Sequence, residues 1–263
     1  MPFDPDGSLR VITDGTIKFS SPDEFNDPFD CNPIVDGDSY EEKIKTDPHL
    51  RKTLCKQMGI SPGKWLAHKK KFLTRIRNGF SAGQYNELTQ KRLGVCCLTS
   101  NAVNPLMWAH YADSHKGFAA EFQIPTTFTP GELAADPLFD VKLLAAQPVQ
   151  YVEDRPVVTA FDDVDDRVNK GFYFKSKHWQ YEDEYRVLSR DLGSGIHKYQ
   201  RNRVLSAVIA GCKMDNKDRS ALEQAVRELN DQENTAVDFY QAAVSPQKFK
   251  LVIPNHPIWS QEQ

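Results

Sequence analysis

The stretch PLMWAHYADSHKG, residues 105–117, concentrates side chains that titrate, stack on rings or donate hydrogen bonds. If the stretch is helical, Trp108, Tyr111 and His115 share one stripe, and His110 lies on the neighbouring stripe. The two aromatic rings would form a wall on which a flat ring could stack, and the histidines could donate or accept hydrogen bonds near neutral pH. The alternative is structural: Trp108 fills the core, His110 is a satisfied buried histidine, and His115 caps the helix end.

The stretch KSKHWQYEDEYRVL, residues 175–188, places a second polar cluster among aromatic residues. If residues 182–186 are extended, Glu182, Glu184 and Arg186 point to one face of a strand. Buried charges on such a face are costly unless they are paired. Two interpretations follow. Arg186 either forms a structural ion pair with one carboxylate, or it holds that carboxylate while the other one faces a cleft.

A third candidate is FNDPFD, residues 25–30, in which two polar residues and one proline lie between two phenylalanines. Asn26 and Asp27 either present an amide and a carboxylate to a ligand, or they build an Asx-turn before Pro28. The sequence leaves both interpretations open.

No motif predicts a metal site or a glycine loop for phosphates. His110 and His115 are five residues apart, whereas the histidines of a helical HExxH motif are four apart. Asp140 and the carboxylates at 182–184 could be combined into a metal-dependent nuclease scheme, but their spacing is not specific. The sequence contains neither GxGxxG nor GxxxxGK[ST], so it lacks both common nucleotide-binding glycine motifs.

The overall charge does not predict a protein that coats nucleic acid. Lys and Arg number 33 against 36 Asp and Glu, which gives a net charge of −3, whereas non-specific DNA binders carry a basic surplus. The stretch KWLAHKKKFLTRIRN, residues 64–78, is nevertheless rich in Lys and Arg and contains no acid. It is interpreted either as the solvated face of a helix or as a docking surface for a polyanion.

Cysteine usage and hydropathy favour a cytoplasmic protein. The chain has an odd number of cysteines, five, which is typical of reduced thiols rather than of a disulfide framework. No apolar run reaches the length of a membrane span, and no secretory signal is recognised at the start of the sequence.

Strand and helix patterns alternate without a regular βαβ rhythm, which predicts an α+β fold. We expect one domain, 1–263, with a mixed and split β-sheet flanked by helices, and a helical insertion at about 40–91. Proline is typical of the first helical position and glycine of the helix end, so we expect the helix that begins at Pro105 to end near Gly117. The predicted strands are a hairpin-like LRVITDG–TIKFSS pair, a central buried GVCCLTS, GFAAEFQI, EYRVLS and VLSAVIAG; the clearest helix is DNKDRSALEQAVRELND.

Three blocks of the sequence resemble the hallmark blocks of the DUF2971 family of bacterial proteins, whose function is undefined. These blocks are FSSPDEFNDPFDC, CLTS followed by LMWAHYADSHKGFAAEF, and KSKHWQYEDEYRVL. The resemblance runs in order over roughly residues 9–190. The start differs, because MPFDPDGSLRVI replaces the strand resembling Tyr-Lys-Tyr/Phe-Arg that often opens family members. Whether Arg10 replaces a ligand-binding residue of that strand stays open.

The layout of this family is distantly similar to ADP-ribosyltransferases of the DNA-modifying toxin type. The resemblance implies that Glu184 takes the position of the catalytic strand glutamate and that residues 104–115 surround the nicotinamide end of NAD. His110 and Arg186 would hold ribose or phosphate oxygens as further catalytic residues. The residues expected to contact NAD are Trp108, Tyr111, His115, Asn26, Asp27, Trp179 and Glu182.

The leading hypothesis is therefore an NAD-consuming, ADP-ribosyltransferase-like enzyme with NAD as its substrate. It would act as a toxin or phage-defence effector that modifies a macromolecule, either nucleic acid or protein. Two alternatives come from other functional classes: a non-catalytic ligand sensor or partner-binding module, and a metal-dependent nuclease.

Overall fold

A computed structural model describes residues 1–81, 83, 93–123, 146–189 and 192–260 of the chain. The fold is α+β, with mixed sheets and helices, as the sequence predicts. The chain forms two compact units. The first unit comprises 1–20, 94–148 and 180–263, and the second comprises 21–93 and 149–179. The expectation of a single domain stays a prediction.

The described elements alternate irregularly along the chain. The α-helices are α1 (Arg10–Thr13), α2 (Gly37–Thr46), α3 (Pro48–Gln57), α4 (Pro62–Ser81), α5 (Pro105–Tyr111), α6 (Val164–Phe172), α7 (Arg201–Val204) and α8 (Asn216–Glu233). The strands are β1 (Thr16–Phe19), β2 (Ile34–Val35), β3 (Gly94–Thr99), β4 (Phe118–Phe122), β5 (Gln147–Pro148), β6 (Gln150–Val152), β7 (Val157–Val158), β8 (Phe174–Ser176), β9 (Glu184–Ser189), β10 (Gly195–Lys198), β11 (Leu205–Ala210), β12 (Asp238–Gln241), β13 (Ala243–Val244) and β14 (Leu251–Val252). Short 3₁₀ helices span Pro22–Glu24 and Lys177–Glu182.

The core of the first unit lies between α8 and a three-stranded mixed sheet. Strand β11 is the middle strand, antiparallel to β4 and parallel to β12. Helix α8 buries Leu222, Ala225 and Leu229, the stripe that the sequence predicts. The side chain of Asp215 caps this helix by accepting from the backbone N–H of Asp218 at 2.8 Å.

A second sheet of the first unit carries the candidate site. It has the order β3–β9–β5, and both pairings are antiparallel. GVCCLTS forms β3, as predicted; β9 pairs with it on one side, and Val95 exchanges backbone hydrogen bonds with Ser20 on the other. Successive side chains of a strand point to opposite faces, and Cys96 is buried in the core whereas Cys97 is exposed.

The hairpin predicted at the start of the chain does not form, so this prediction is wrong. Residues Arg10–Thr13 form one helical turn, and β1 pairs with the distant strand β10 instead. Val11 and Ile12 are consecutive and both buried, a pattern that a half-exposed strand does not give. The carbonyl of Val11 accepts a hydrogen bond from the Tyr199 hydroxyl at 2.6 Å, so a partner nearly 190 residues away helps to fix this turn.

The second unit is a helical cluster with two short parallel strand pairs, β2–β7 and β6–β8. Its core contains Ile44, Cys55, Trp65 and Leu73, which come from α2, α3 and α4. The predicted helical segment at about 40–91 begins at Gly37 in the structure, and part of its end lies outside the described residues.

None of the helices in the described part of the chain combines the length and the apolar character needed to cross a lipid bilayer.

Candidate functional site

Helix α5 begins where the Asn-Pro signal predicts and ends earlier than expected. The Asn104 side chain accepts a hydrogen bond from the backbone N–H of Leu106 at 2.9 Å and so caps the helix, whose first residue is Pro105. The prediction that this helix reaches Gly117 is wrong, because it ends at Tyr111 and residues 113–115 take left-handed φ angles of 45°, 55° and 72°. His115 therefore does not share a helical stripe with Trp108 and Tyr111.

Trp108 occupies the core, which is the structural alternative that the sequence left open. Its side chain is 4% exposed and packs with Ile209 and Ile253. The indole N–H donates to the carbonyl of Ala102 at 2.7 Å. The ring thus contributes to the apolar core of the first unit, and its predicted contact with NAD stays untested.

Replacing Trp108 by phenylalanine tests this core role. The variant loses the indole hydrogen bond and leaves the carbonyl of the half-buried Ala102 without this partner, so the free energy of unfolding should fall by about 1–3 kcal/mol. Urea-induced unfolding measures the change. A decrease smaller than about 0.5 kcal/mol would contradict the core assignment.

His115 lies in the left-handed turn after α5, away from the predicted ring wall. Its backbone N–H donates to the Trp108 carbonyl at 3.1 Å, and its carbonyl accepts from Lys213 N–H at 3.0 Å. The ring atom Nδ1 is buried and has no hydrogen-bond partner among the described residues. Burial and the nearby Lys213 ammonium hold the pKa of His115 below its ordinary value. The folded protein therefore favours the neutral ring.

This lowered pKa predicts a specific pH dependence of stability. The unfolded chain binds a proton at His115 more readily than the folded chain, so the free energy of unfolding falls as the pH drops below about 6.5. His115→Asn, which tolerates a left-handed backbone, should show a smaller loss between pH 7.5 and pH 5 than the original protein. His49→Asn, at an exposed histidine, is the matched control and should keep the full loss. Equal pH profiles for both variants would contradict the prediction.

Two segments that are about 80 residues apart in sequence are joined by a row of hydrogen bonds in the first unit. The Thr99 hydroxyl donates to the Glu182 carbonyl at 2.7 Å, and the Asn104 amide donates to the Tyr181 carbonyl at 2.5 Å. The Asn101 amide also donates to the Asp183 carboxylate, at 3.1 Å. The start of α5 is thereby held against residues 181–183.

These hydrogen bonds bring the carboxylate of Glu182 next to the Tyr111 ring of α5. The Tyr111 hydroxyl donates to Oε1 of Glu182 at 2.6 Å. Glu182 is 2% exposed, whereas Tyr111 is 38% exposed. The exposed His110 ring lies 6.1 Å from the Tyr181 ring, measured between centroids. The cluster of His110, Tyr111, Tyr181 and Glu182, here called the Tyr111–Glu182 cluster, combines the exposed rings of His110 and Tyr111 with the half-buried Tyr181 and the buried carboxylate of Glu182.

Glu182 reaches this position because it does not belong to strand β9. It is the last residue of the 3₁₀ helix Lys177–Glu182, and Asp183 has a left-handed φ of 45°. The prediction that residues 182–186 are extended is therefore wrong for 182 and 183. The turn at Asp183 separates Glu182 from the strand face on which Glu184 lies.

Glu184 and Arg186 form a buried ion pair on β9. The Arg186 Nε donates to Glu184 Oε1 at 2.7 Å, and its Nη2 donates to Oε2 at 3.0 Å. The Arg186 side chain is fully buried, and that of Glu184 is 5% exposed. Both oxygens of this carboxylate are thus engaged by one guanidinium, as in the structural ion pair that the sequence left open. Its predicted catalytic role remains untested.

Asn26, Asp27 and Trp179 belong to the second unit. Asn26 is exposed, and Asp27 is buried with its carboxylate accepting from the backbone N–H of Phe29 at 2.9 Å. That hydrogen bond is the Asx-turn interpretation of FNDPFD. The Trp179 ring lies 5.1 Å from the ammonium of the buried Lys175, a cation–π contact.

Sequence reasoning missed several residues of this row of hydrogen bonds and of the cluster: Thr99, Asn101 and Tyr181. Asn104 was included only in the segment 104–115 expected near NAD, although its amide has two donors that remain after its oxygen caps the helix. Tyr181 directly precedes Glu182 in QYEDEY, and an aromatic residue beside a carboxylate is the signal that was available.

Within the described residues, no three or more His, Cys, Asp or Glu side chains are grouped so that they could hold a metal ion. Asp140, the residue that the nuclease alternative requires, lies outside the described residues. That alternative therefore stays untested.

Residues 107–187 match the model of a family described as "Protein of unknown function (DUF2971)". The match begins within α5 and ends within β9, so it covers the segments that form the Tyr111–Glu182 cluster and the ion pair. It supports the resemblance seen in the sequence and attaches no activity to it. No curated protein and no solved structure matches the chain.

Proposed function

We propose that this protein consumes NAD in an ADP-ribosyltransferase-like reaction at the Tyr111–Glu182 cluster. The observation that supports the proposal is the 2.6 Å hydrogen bond from Tyr111 to Glu182. It joins a ring-bearing helix to an acidic segment far away in sequence, which is the arrangement that the chemistry needs.

The reaction places particular demands on such a site. The bond between C1′ of the ribose and the nicotinamide nitrogen breaks, its electron pair stays on the nicotinamide, and the sugar passes through an oxocarbenium-like state. The acceptor oxygen or nitrogen then forms the new bond to C1′ and loses a proton. A carboxylate near the ribose hydroxyls stabilises the developing positive charge, and it does so more strongly where water is excluded. Glu182, which is 2% exposed, has this character.

The exposed rings of the cluster supply the contacts for the flat nicotinamide. Tyr111 and His110 are both accessible from solvent, and the Tyr181 ring lies within 6.1 Å of His110. Aromatic pairs at such distances are favourable in offset or edge-to-face geometry. We therefore assign binding of the nicotinamide to these rings, in place of the buried ring of Trp108.

The roles of the two glutamates follow from what each carboxylate contacts. Glu184 is engaged by Arg186 through both of its oxygens, so we assign this pair to positioning strand β9 and the turn that precedes it. Glu182 accepts a hydrogen bond from the exposed residue Tyr111 and is assigned as the carboxylate that acts on the ribose. This assignment replaces the one that the family resemblance implied for Glu184.

One observation favours the alternative of a non-catalytic ligand sensor. Both candidate carboxylates already accept hydrogen bonds from side chains of the protein itself, which is also the arrangement of a rigid binding site. A sensor of this kind would bind NAD or a related nucleotide without breaking any bond.

Turnover separates the two candidate functions. The protein is incubated with NAD labelled in the nicotinamide ring, with and without cell lysate, and released nicotinamide is quantified. A parallel sample with label in the adenosine part reports transfer to macromolecules, and calorimetry reports binding. Nicotinamide release, with or without transfer, supports the enzyme. Saturable binding without release supports the sensor, and the absence of both contradicts the proposal.

A further inference from the structure

The basic helix α4 of the second unit has a distinct distribution of charge. At 3.6 residues per turn, Lys64, His68, Lys71 and Arg75 fall within an arc of about 60° on the helix surface. All four side chains are exposed. The opposite side of α4 is occupied, because Trp65 and Leu73 are buried in the core of this unit. The four residues, here called the basic stripe, thus form a solvent face without apolar residues.

Among the described residues, the cations of this face have no acidic ion-pair partners. In the part of the chain that the structure describes, no Asp or Glu forms an ion pair with Lys64, Lys71 or Arg75. Other described helices do contain such pairs: Glu41 with Lys45, and Glu223 with Arg227, each four residues apart. The stripe instead places like charges at Lys71 and Arg75, a spacing at which they destabilise a helix.

We infer that the basic stripe of α4 binds the phosphate backbone of a duplex nucleic acid. Lys64 and Arg75 are separated by about 16 Å along the helix axis, and a duplex carries one charge per about 1.7 Å of its own axis. Over this length a duplex presents several phosphates, so Lys64, Lys71 and Arg75 can each contact one. Arg75 can bind a phosphate through two parallel hydrogen bonds, and the exposed Asn78, one turn further on, adds a neutral donor.

The same observations disfavour an anionic membrane surface as the partner of the stripe. A helix that lies in a membrane surface inserts its apolar face into the lipid. Among the described side chains of α4, only Leu66 is an exposed large apolar residue, whereas Trp65 and Leu73 are buried in the core of the unit. The inference does not depend on the proposed reaction, because duplex binding is measured without NAD.

The experiment compares the full chain with Lys64→Gln/Lys71→Gln/Arg75→Gln. Binding of a 24-base-pair DNA duplex and of an RNA duplex of the same sequence is measured by fluorescence anisotropy between 50 and 200 mM salt. For three phosphate contacts, the slope of log K against log salt should be about −3. The triple variant should lose at least about tenfold in affinity at 50 mM salt and most of that slope. The triple substitution Lys56→Gln/Lys198→Gln/Lys217→Gln removes the same charge at exposed positions elsewhere and should retain binding.

A further variant separates binding from folding. Lys71→Glu places an acid four residues before Arg75, which is a favourable helical pair, so its thermal midpoint should not fall while its affinity for the duplex drops at least about tenfold. Several outcomes would overturn the inference: no duplex binding at 50 mM salt, equal affinity of the original protein and the stripe variants, or equally tight binding of polyglutamate or of vesicles that contain phosphatidylserine. Preference for DNA or for RNA identifies which duplex the stripe accepts.

Discussion

Arg186→Met should lower the free energy of unfolding by about 3–5 kcal/mol, the cost of removing one partner of a buried ion pair. Methionine approximates the length of the arginine side chain, so the main loss is the charge that neutralises Glu184. That carboxylate is 5% exposed and has both oxygens bonded to the guanidinium. The variant therefore removes the cation that is paired with this carboxylate in the interior of the first unit, where water solvates a charge poorly. Urea-induced unfolding and hydrogen exchange of the β9 amides measure the loss.

Two controls identify the source of this effect. In Glu184→Met/Arg186→Met no charge remains buried, so this variant should be more stable than Arg186→Met alone. Arg227→Met removes an exposed arginine that pairs with Glu223 on α8, and it should change stability by less than about 1 kcal/mol. If the double variant were no more stable than Arg186→Met, the charge left on Glu184 would not be the source of the loss.

Local signals in the sequence predicted where several elements begin. Asn104 and Pro105 start α5, and the apolar stripe of α8 is buried as its spacing requires. Such features depend on neighbouring residues only, so a single sequence reveals them. The end of α5 was not predictable in this way, because residues 113–115 take left-handed conformations that no glycine announces.

The orientation of Trp108 depended on residues far away in sequence. Spacing alone permitted either a ring wall or a core position, and Ile209 and Ile253 decide between them by packing around the indole. The same limit applies to Glu182. Alternation along a strand placed it on the same face as Glu184, but the left-handed turn at Asp183 removes it from the strand. Asp adopts that conformation more readily than most residues, and nothing in the sequence marks this position for it.

Glu182→Gln should lower the rate of nicotinamide release by about 100- to 1,000-fold, the usual cost of removing one group that stabilises charge in a transition state. The amide keeps the size of the side chain and an oxygen that can accept from Tyr111, so the 2.6 Å contact need not be lost. Only the negative charge that the proposed reaction uses to stabilise the oxocarbenium-like state disappears. The affinity for NAD should therefore change by less than about threefold while kcat falls, which is the pattern of an interaction made in the transition state.

Glu184→Gln is the matched comparison, because it makes the same chemical change two residues away. It leaves Arg186 buried with a neutral partner, so it should reduce stability and affect kcat only through the position of β9. Measuring both variants at a temperature where each is folded separates these effects. A normal kcat for Glu182→Gln together with an inactive, folded Glu184→Gln would return the catalytic role to Glu184, as the family resemblance implies. Normal kcat in both variants would mean that neither carboxylate takes part in breaking the bond, and the proposed chemistry at this cluster would be wrong.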